Sequence, residues 1–133
     1  MTASNLEVVQ RLFDRFAEGG VDAVLEGAAE NVVIEIPPDL SAEPDVYLGH
    51  EGVRRYFAGF DGMLADVRYE ALELTPVGEF VLAHIRLSGR GVSSGLDVAI
   101  EVYVLHELVD GRIVRIRPYA DPEAAREAAA RAR

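Results

Sequence analysis

Three residues near the end of the chain have side chains that can do acid–base chemistry. Tyr119 and Asp121 stand directly before Pro122, and His106 lies on the predicted strand before theirs. A carboxylate or a neutral imidazole can abstract a proton, and a tyrosine hydroxyl can stabilise a carbonyl or enolate oxygen. These residues are therefore the candidate catalytic group. An Asp before Pro is also an ordinary helix N-cap, so capping is the alternative interpretation of Asp121.

Strand alternation decides which of these side chains can share a cavity. Asp110-Gly111 predicts a hairpin turn, and the strand after it presents two faces. One face holds Arg115, Arg117, Tyr119 and Asp121, and the other holds Val114, Ile116 and Pro118. His106 is in phase with the apolar residues Ile100, Val102, Val104 and Leu108. The pattern predicts His106 inside, with Tyr119 and Asp121 outside unless a bulge or the strand end changes the parity.

The other polar candidates are weaker. His84, Arg86 and Glu35 alternate with apolar neighbours and are expected to face outward, as is the set Asp97, Glu101, Tyr103 and Glu107. His50 precedes a predicted helix, where capping or surface exposure is the favoured interpretation. The three histidines show no metal-ligand spacing, so neither a metal site nor a cofactor is expected.

Composition excludes several functions. The formal net charge is −10 and all thirteen basic residues are arginines scattered along the chain, which argues against binding of a nucleic-acid backbone. Without Lys or Cys there is no Schiff-base lysine, disulfide or thiolate. No apolar run could span a membrane, and the first residues resemble no export signal, so a cytoplasmic location without membrane contact is expected.

The order of predicted elements indicates an α+β fold. Apolar spacing of i, i+3 and i+4 predicts helices, and alternation predicts strands. Helices are predicted at 5–18, 21–29, 51–60 and 122–131, and strands at 31–36, 67–74, 79–88, 96–108 and after the turn at 110–111. A polar loop at 39–45 is expected, as a lid or as an ordinary surface loop. Because the last four strands can form an antiparallel meander, residues 1–133 are expected to form one domain.

Several segments together resemble a known family. They are 8–13 (VVQRLF), 17–24 (AEGGVDAV), 48–57 (LGHEGVRRYF) and 110–114 (DGRIV), with Tyr119 and Asp121. In this order they resemble the SnoaL-like group of the nuclear-transport-factor-2-like superfamily, to which ketosteroid isomerases and polyketide cyclases also belong. Each segment alone is a weak signal, but together they cover nearly the whole chain.

The resemblance implies a particular form of the α+β fold. It implies a curved, mostly antiparallel sheet wrapped around the N-terminal helices, a cone of the cystatin-like α+β barrel type with a central apolar cavity. It also implies a homodimer that pairs the outer sheet faces. The side chains expected to line the cavity and bind a ligand are Phe13, Phe16, Ile36, Tyr56, Phe57, Phe60, Val102, Val104 and Ile116.

The resemblance also bears on the activity. The ketosteroid isomerases carry an Asp before a Pro at the end of the first strand, and here that position is Ile36, before Pro37. In SnoaL-type cyclases an Asp at the end of the last strand, aided by a His on the preceding one, is the acid–base group, and Asp121 and His106 match those places loosely. Because one fold supports many activities, two hypotheses remain. The first is binding of a small hydrophobic, carbonyl-containing molecule, with proton transfer by Asp121 assisted by His106 or Tyr119. The alternative is a non-enzymatic binding or dimerisation module whose cavity is filled by its own side chains.

Overall fold

The computed structural model describes residues 4–36 and 46–131, without the side chains of residues 60 and 61. The chain contains four helices and six strands within those ranges. The helices are α1 (Asn5–Gly19), α2 (Val21–Glu26), α3 (Gly49–Met63) and α4 (Pro122–Arg131). The strands are β1 (Ala28–Glu35), β2 (Val46–Leu48), β3 (Leu64–Val77), β4 (Phe80–Gly91), β5 (Asp97–Val109) and β6 (Arg112–Tyr119).

All six strands form one mixed sheet in the order β2-β1-β6-β5-β4-β3. The last four make the expected antiparallel meander, and β2 runs antiparallel to β1. The exception is β1, which pairs with β6 in parallel, for example at Ile34 and Ile116. The α+β class is confirmed, and the sheet is open, with β2 and β3 as its described edges.

The core lies between the inner face of the sheet and the helices α1, α2 and α3. Ser4 caps α1 by accepting a hydrogen bond from the Glu7 amide at 3.2 Å, as the capping-box pattern predicts. The helix then buries its apolar stripe against the sheet, because side chains three and four apart share a face. The fully buried side chains of this core include Val9, Val24, Val32, Ile34, Val53, Val81, Ile85, Val104, Leu108 and Ile113. No helix in the described ranges is both long and apolar enough to cross a lipid bilayer.

Several predicted boundaries were wrong near turns. The second helix ends at Glu26 rather than 29, because Ala28 already belongs to β1, where it is buried. The three-residue strand β2 was not predicted, since so short a strand carries no alternation signal. Pro76 falls between the predicted strands 67–74 and 79–88 but lies in β3, an edge strand, where a proline is tolerated. The predicted loop at 39–45 lies outside the described residues.

A register shift at the start of β6 changes one predicted face. Glu107 pairs with Arg115, but the next residue, Leu108, pairs with Ile113, so Val114 has no partner opposite it. Such a bulge reverses the alternation on its N-terminal side. Ile113 is therefore fully buried in place of Val114, whereas Ile116 and Pro118 face inward as predicted.

Two glycines of α3 provide a stability prediction with an internal control. A Cβ atom on Gly52 would lie 2.8 Å from the backbone carbonyl carbon of Tyr47, whereas one on Gly59 meets nothing within 4 Å. We expect Gly52→Ala to lower the free energy of unfolding by about 1–3 kcal/mol, because the backbone must shift. Gly59→Ala is expected to raise it by about 0.5–1 kcal/mol through helix propensity. Urea unfolding of both variants checks this; equal effects would contradict the close approach.

Candidate functional site

His106 lies at the centre of the inner face, as its phase in the sequence predicts. It is 3% exposed and pairs across the sheet with Val81 on β4 and Ile116 on β6. Its Nδ1 atom has no hydrogen-bond partner among the described residues. An unpaired polar atom in a buried position costs stability, so His106 is the polar group of the core that a ligand atom could satisfy.

Burial keeps the His106 imidazole neutral. Desolvation disfavours the charged ring and lowers the pKa of His106 to about 4, against smaller opposing contributions from the backbone of Val81 and Val104. At neutral pH the ring therefore offers one N–H and one lone pair. A base this weak is poorly suited to abstract a proton, but it can donate or accept a hydrogen bond.

A small void borders His106, and we call it the inner chamber. Its volume is about 20 Å³, which accommodates about one water-sized atom. The side chains around it are Leu12, Val24, Ile34, Tyr56, Phe57, Tyr69, Val104, His106, Ile116 and Pro118. Among these side chains, only His106 and the two tyrosines can donate or accept a hydrogen bond. The inner chamber can hold one polar atom, but it is too small for the body of a ligand.

A larger pocket lies between α1, α3 and β3, and we call it the α1–α3 pocket. Its volume is about 430 Å³, within the range of small-molecule sites. Its lining is mostly apolar: Phe16, Ala17, Gly20, Val21, Arg54, Phe57, Ala58, Val67, Tyr69 and Leu87. The charged member, Arg54, lies 3.6 Å from a carboxylate oxygen of Asp22. Since several lining residues are exposed, this pocket is accessible from solvent.

Phe57 and Tyr69 separate the two spaces, because both side chains line both of them. Their ring centroids are 5.9 Å apart and nearly perpendicular, and Tyr69 also stacks on Phe13 at 5.6 Å. Such ring pairs add to the stability that burial provides. The barrier between the two spaces is therefore a packed aromatic cluster.

The tyrosines of this cluster remain protonated at physiological pH. Burial, with a smaller contribution from Tyr47, raises the pKa of Tyr56 to about 12. The pKa of Tyr69 is raised still further, mainly by burial and to a smaller extent by the neighbouring Tyr56. Both phenols are therefore hydrogen-bond donors rather than bases beside the inner chamber.

The structure places most of the predicted lining residues around these spaces. Tyr56, Phe57, Val104 and Ile116 border the inner chamber, and Phe16 borders the α1–α3 pocket. Phe13 is buried beside them, with its ring centroid 6.1 Å from that of His106. Ile36 and Val102 are partly buried against the same core. The Phe60 side chain lies outside the described residues.

Tyr69 is the site residue that the sequence analysis did not single out. It lies on β3, where Val67, Tyr69 and Ala71 alternate with Arg68 and Glu70. The alternation identifies it as inward-facing, but nothing local indicates that its ring would reach Phe13 on the opposite side of the core. That contact depends on how α1 crosses the sheet.

The structure does not bring Tyr119 and Asp121 together with His106. Tyr119 pairs with Tyr103 on the other face of the sheet and packs against the cluster that α4 covers. Asp121 is exposed, and its Oδ1 accepts a hydrogen bond from the Glu123 amide at 3.1 Å at the start of α4. The observed contact of Asp121 is thus the one expected of a helix N-cap. Tyr119 lies on the outer side of the sheet, as strand alternation predicts.

The capping contact of Asp121 leads to a second stability prediction. We expect Asp121→Ala to lower the free energy of unfolding by about 1 kcal/mol, because the start of α4 loses its side-chain acceptor. Asp121→Ser, which can cap, is expected to recover most of that loss. Thermal unfolding of the three proteins measures the difference, and a serine variant no better than the alanine variant would contradict the capping role.

The outer face of the sheet carries ion pairs, as the sequence predicts for this phase. Glu35 accepts from Arg115 at 3.2 Å and from Arg117 at 3.1 Å, and Arg115 also lies 3.7 Å from Glu107. His84 contacts Glu101 at 2.5 Å and stacks on Tyr103 with centroids 4.6 Å apart. These partly exposed groups neutralise one another locally. His50 is placed differently: its Nε2 lies 3.2 Å from the Ala28 carbonyl oxygen, which ties α3 to β1.

No group of three or more potential metal ligands occurs within residues 4–36 and 46–131. The inner chamber has one imidazole and no carboxylate in its lining, a donor set unsuited to a hard cation. The arrangement can hold an apolar molecule next to a few hydrogen-bonding groups.

Comparison with known proteins identifies the family. The profile of the SnoaL-like domain matches residues 9–116. No curated protein matches the sequence significantly. Among solved structures, an NTF2-like protein of unknown function from Burkholderia pseudomallei K96243 is 19% identical, with a TM-score of 0.76 over 94% of this chain and 97% of that one.

Two further solved structures have the same fold. A putative SnoaL-like polyketide cyclase from Jannaschia sp. CCS1 is 22% identical, with a TM-score of 0.74 over 93% of this chain and 90% of that one. TerC, co-crystallised with polyporic acid, is 18% identical, with a TM-score of 0.76 over 96% and 99%. The profile match spans residues 9–116, which is most of the chain. The chain therefore belongs to the SnoaL-like family.

Proposed function

We propose that this protein binds a small apolar molecule with one terminal carbonyl or hydroxyl group. The apolar body occupies the α1–α3 pocket, and the oxygen atom points past Phe57 and Tyr69 towards the inner chamber. The observation that carries the proposal is the unpaired Nδ1 of His106 beside a void of about 20 Å³. A ligand oxygen in that void would satisfy the buried nitrogen.

The sizes of the two spaces support this division. A volume of about 430 Å³ suits a small molecule of one to three rings, whereas the inner chamber takes only about one atom. Phe57 and Tyr69 would have to move for the oxygen to pass, and both lie in a cluster of ring contacts. TerC, which shares the fold, was co-crystallised with polyporic acid.

The proposal is for binding rather than for proton abstraction. Asp121 caps α4 on the other side of the sheet, and a pKa of about 4 leaves His106 a weak base. His106 would instead orient the ligand by a hydrogen bond, with the protonated Tyr56 and Tyr69 phenols as further donors. The ligand class follows from these neutral groups: an uncharged oxygen compound fits, and a carboxylate in the same place would be buried without a cation.

The test uses a neutral fluorescent ketone, 6-acetyl-2-dimethylaminonaphthalene, whose emission shifts to the blue in apolar surroundings. We expect saturable binding that Ala58→Trp weakens by about tenfold, because Ala58 lines the α1–α3 pocket and the indole would fill it. Ala130→Trp, on the exposed side of α4, is the matched control and is expected to bind normally. Equal binding by both variants would exclude the α1–α3 pocket.

A second comparison tests the hydrogen bond to His106. The acetyl probe is compared with its 6-ethyl analogue, which lacks the oxygen, in the wild type and in His106→Leu. We expect the wild type to prefer the ketone by about fivefold to tenfold and the variant to lose that preference. An undiminished preference in the variant would remove His106 from the site while leaving the pocket itself in place.

A non-enzymatic module with a filled cavity is the second candidate. It is favoured by the aromatic packing around the inner chamber and by the capping role of Asp121. In that case the chamber serves only the core, and no probe binds in the α1–α3 pocket. The fluorescence titration therefore distinguishes the two candidates directly.

We also propose that the protein forms a homodimer through the part of the outer sheet face that α4 leaves uncovered. Helix α4 packs its alanines on Phe80, Leu82 and Leu105, so a partner would meet the neighbouring region around His84 and Arg86. Arg86→Glu would then place a negative charge beside Glu101, its cross-strand neighbour. Light scattering is expected to give a dimer mass for the wild type and a lower mass for the variant; a wild-type monomer would contradict the proposal.

A further inference from the structure

A second pocket, which we call the arginine pocket, lies between α1, the end of α2 and the turn from β5 to β6. Its volume is about 200 Å³. Its lining consists of Val8, Arg11, Leu12, Arg15, Ala23, Glu26, Gly27, Gly111 and Arg112. It shares no lining residue with the α1–α3 pocket or with the proposed path to His106, apart from Leu12 at its base. The fold thus gathers three arginines that are scattered in the sequence.

The charge of this pocket is opposite to that of the whole protein. The chain carries 23 acidic and 13 basic residues, yet the arginine pocket has three guanidinium groups and one carboxylate. That carboxylate, Glu26, is already paired with Arg15 at 2.7 Å. Arg11 and Arg112 form no ion pair with any residue in the described ranges. Two positive charges in this pocket are therefore left without a paired carboxylate, although the chain as a whole has more acidic than basic residues.

The fold brings three guanidinium groups to one side of the molecule. Arg11 and Arg15 are four residues apart on α1, so they lie on the same side of adjacent turns, and Glu26 pairs only with Arg15. Arg112 adds a third cation from β6, where the backbone is anchored because the next residue, Ile113, donates its amide to the Gly27 carbonyl at 2.9 Å. A bound anion would supply the counter-charge that Arg11 and Arg112 lack.

The lining also indicates what kind of anion fits. Guanidinium groups bind carboxylates and phosphates through paired hydrogen bonds, and three of them surround this pocket. The base is apolar, with Leu12 and Ala23 buried and Val8 partly buried. A volume of about 200 Å³ is below that of a typical drug-sized site, so the ligand is small. We propose that the arginine pocket binds a small oxyanion, a carboxylate or phosphate group attached to a short apolar chain.

The test measures amide shifts in two-dimensional ¹H–¹⁵N NMR spectra, with ionic strength held constant by chloride. The probes are inorganic phosphate and butyrate, and butanol is the uncharged control. We expect saturable shifts at the amides of Gly27, Gly111 and Arg112 with at least one anion and none with butanol. Arg112→Gln is expected to weaken binding by about tenfold, as is Arg11→Gln, whereas Arg68→Gln on the exposed part of β3 leaves it unchanged.

Each outcome decides the question. Tighter binding of phosphate identifies a phosphate ligand, and tighter binding of butyrate identifies a carboxylate with an apolar tail. Shifts that do not saturate would overturn the proposal, because they would reflect only a general attraction of anions to the basic surface. The same conclusion would follow if Arg68→Gln weakened binding as much as Arg112→Gln does. The ketone probe of the α1–α3 pocket is expected to bind all three variants normally, so failure of one site leaves the other testable.

Discussion

Lowering the pH from 6.5 to 4 is expected to destabilise the wild-type protein by about 3 kcal/mol more than the His106→Leu variant. Burial holds the pKa of His106 at about 4, against an ordinary value of 6.5. Between these values the unfolded chain binds a proton that the folded protein does not, so stability rises with pH in this window. The contribution of His106 to the stability is complete above its unfolded pKa of 6.5 and is lost as the pH falls towards 4. It levels off below that, where the folded protein also binds the proton. The size follows from about 1.4 kcal/mol for each unit of pKa difference.

The variant isolates His106 from the other titrating groups. Carboxylates also titrate in this range, but they contribute to both proteins and cancel in the difference. The inner-chamber tyrosines near His106 stay neutral because their pKa values are raised. Urea unfolding at a series of pH values gives both curves. Parallel curves would show that His106 is accessible to protons in the folded state, and a direct NMR titration of its imidazole would then give a pKa near 6.5 rather than 4.

The second large effect is expected from Phe13→Ala, at about 3–5 kcal/mol of lost stability. Phe13 is 6% exposed and lies between Tyr69, at 5.6 Å between centroids, and His106, at 6.1 Å. Its removal takes away buried apolar surface and leaves a cavity beside Tyr69 and His106. Urea unfolding at neutral pH measures the loss.

Two controls make this result specific to the cavity. Phe13→Leu, which keeps most of the volume, is expected to cost less than about half as much. Toluene, a small neutral aromatic, is expected to raise the melting temperature of Phe13→Ala in a concentration-dependent way and to leave the wild type unchanged, because a ligand that binds only the folded state stabilises it. If Phe13→Ala cost less than about 1 kcal/mol, the surrounding aromatics would have closed the space, and the filled-cavity candidate would gain support.

The sequence predicts those features of this site that depend on neighbouring residues, and it fails for features that depend on how distant segments pair. Alternation on β5 placed His106 inside, because strand parity depends only on nearby residues. The same rule placed Tyr119 outside, and the structure has it there. It could not place Ile113, since the bulge opposite Glu107 and Leu108 depends on the pairing of two strands. Boundaries were wrong where a turn of one residue, such as Gly27, separates two elements.

Contacts between distant segments could not be predicted in this way. Sequence periodicity identified the apolar faces of α1 and α3, but the volumes of the two spaces depend on rotamers and helix angles that no pattern records. The arginine pocket shows this most directly. Arg11 and Arg112 are 101 residues apart in the sequence and line one pocket only because the start of β6 bonds to the end of α2. Charge scattered in sequence is thus concentrated by topology.

The parallel pairing of β1 with β6 also affects how the chain is made. Glu35 and Arg117, which form an ion pair across these strands, are 82 residues apart. During synthesis β1 therefore emerges long before the strand that covers its inner edge, and its Val32-Val33-Ile34 segment has unpaired backbone groups throughout that time. An apolar edge of this kind is a template for unwanted strand pairing. We therefore expect the nascent chain to be most prone to aggregation before β6 has been synthesised, however stable the finished fold.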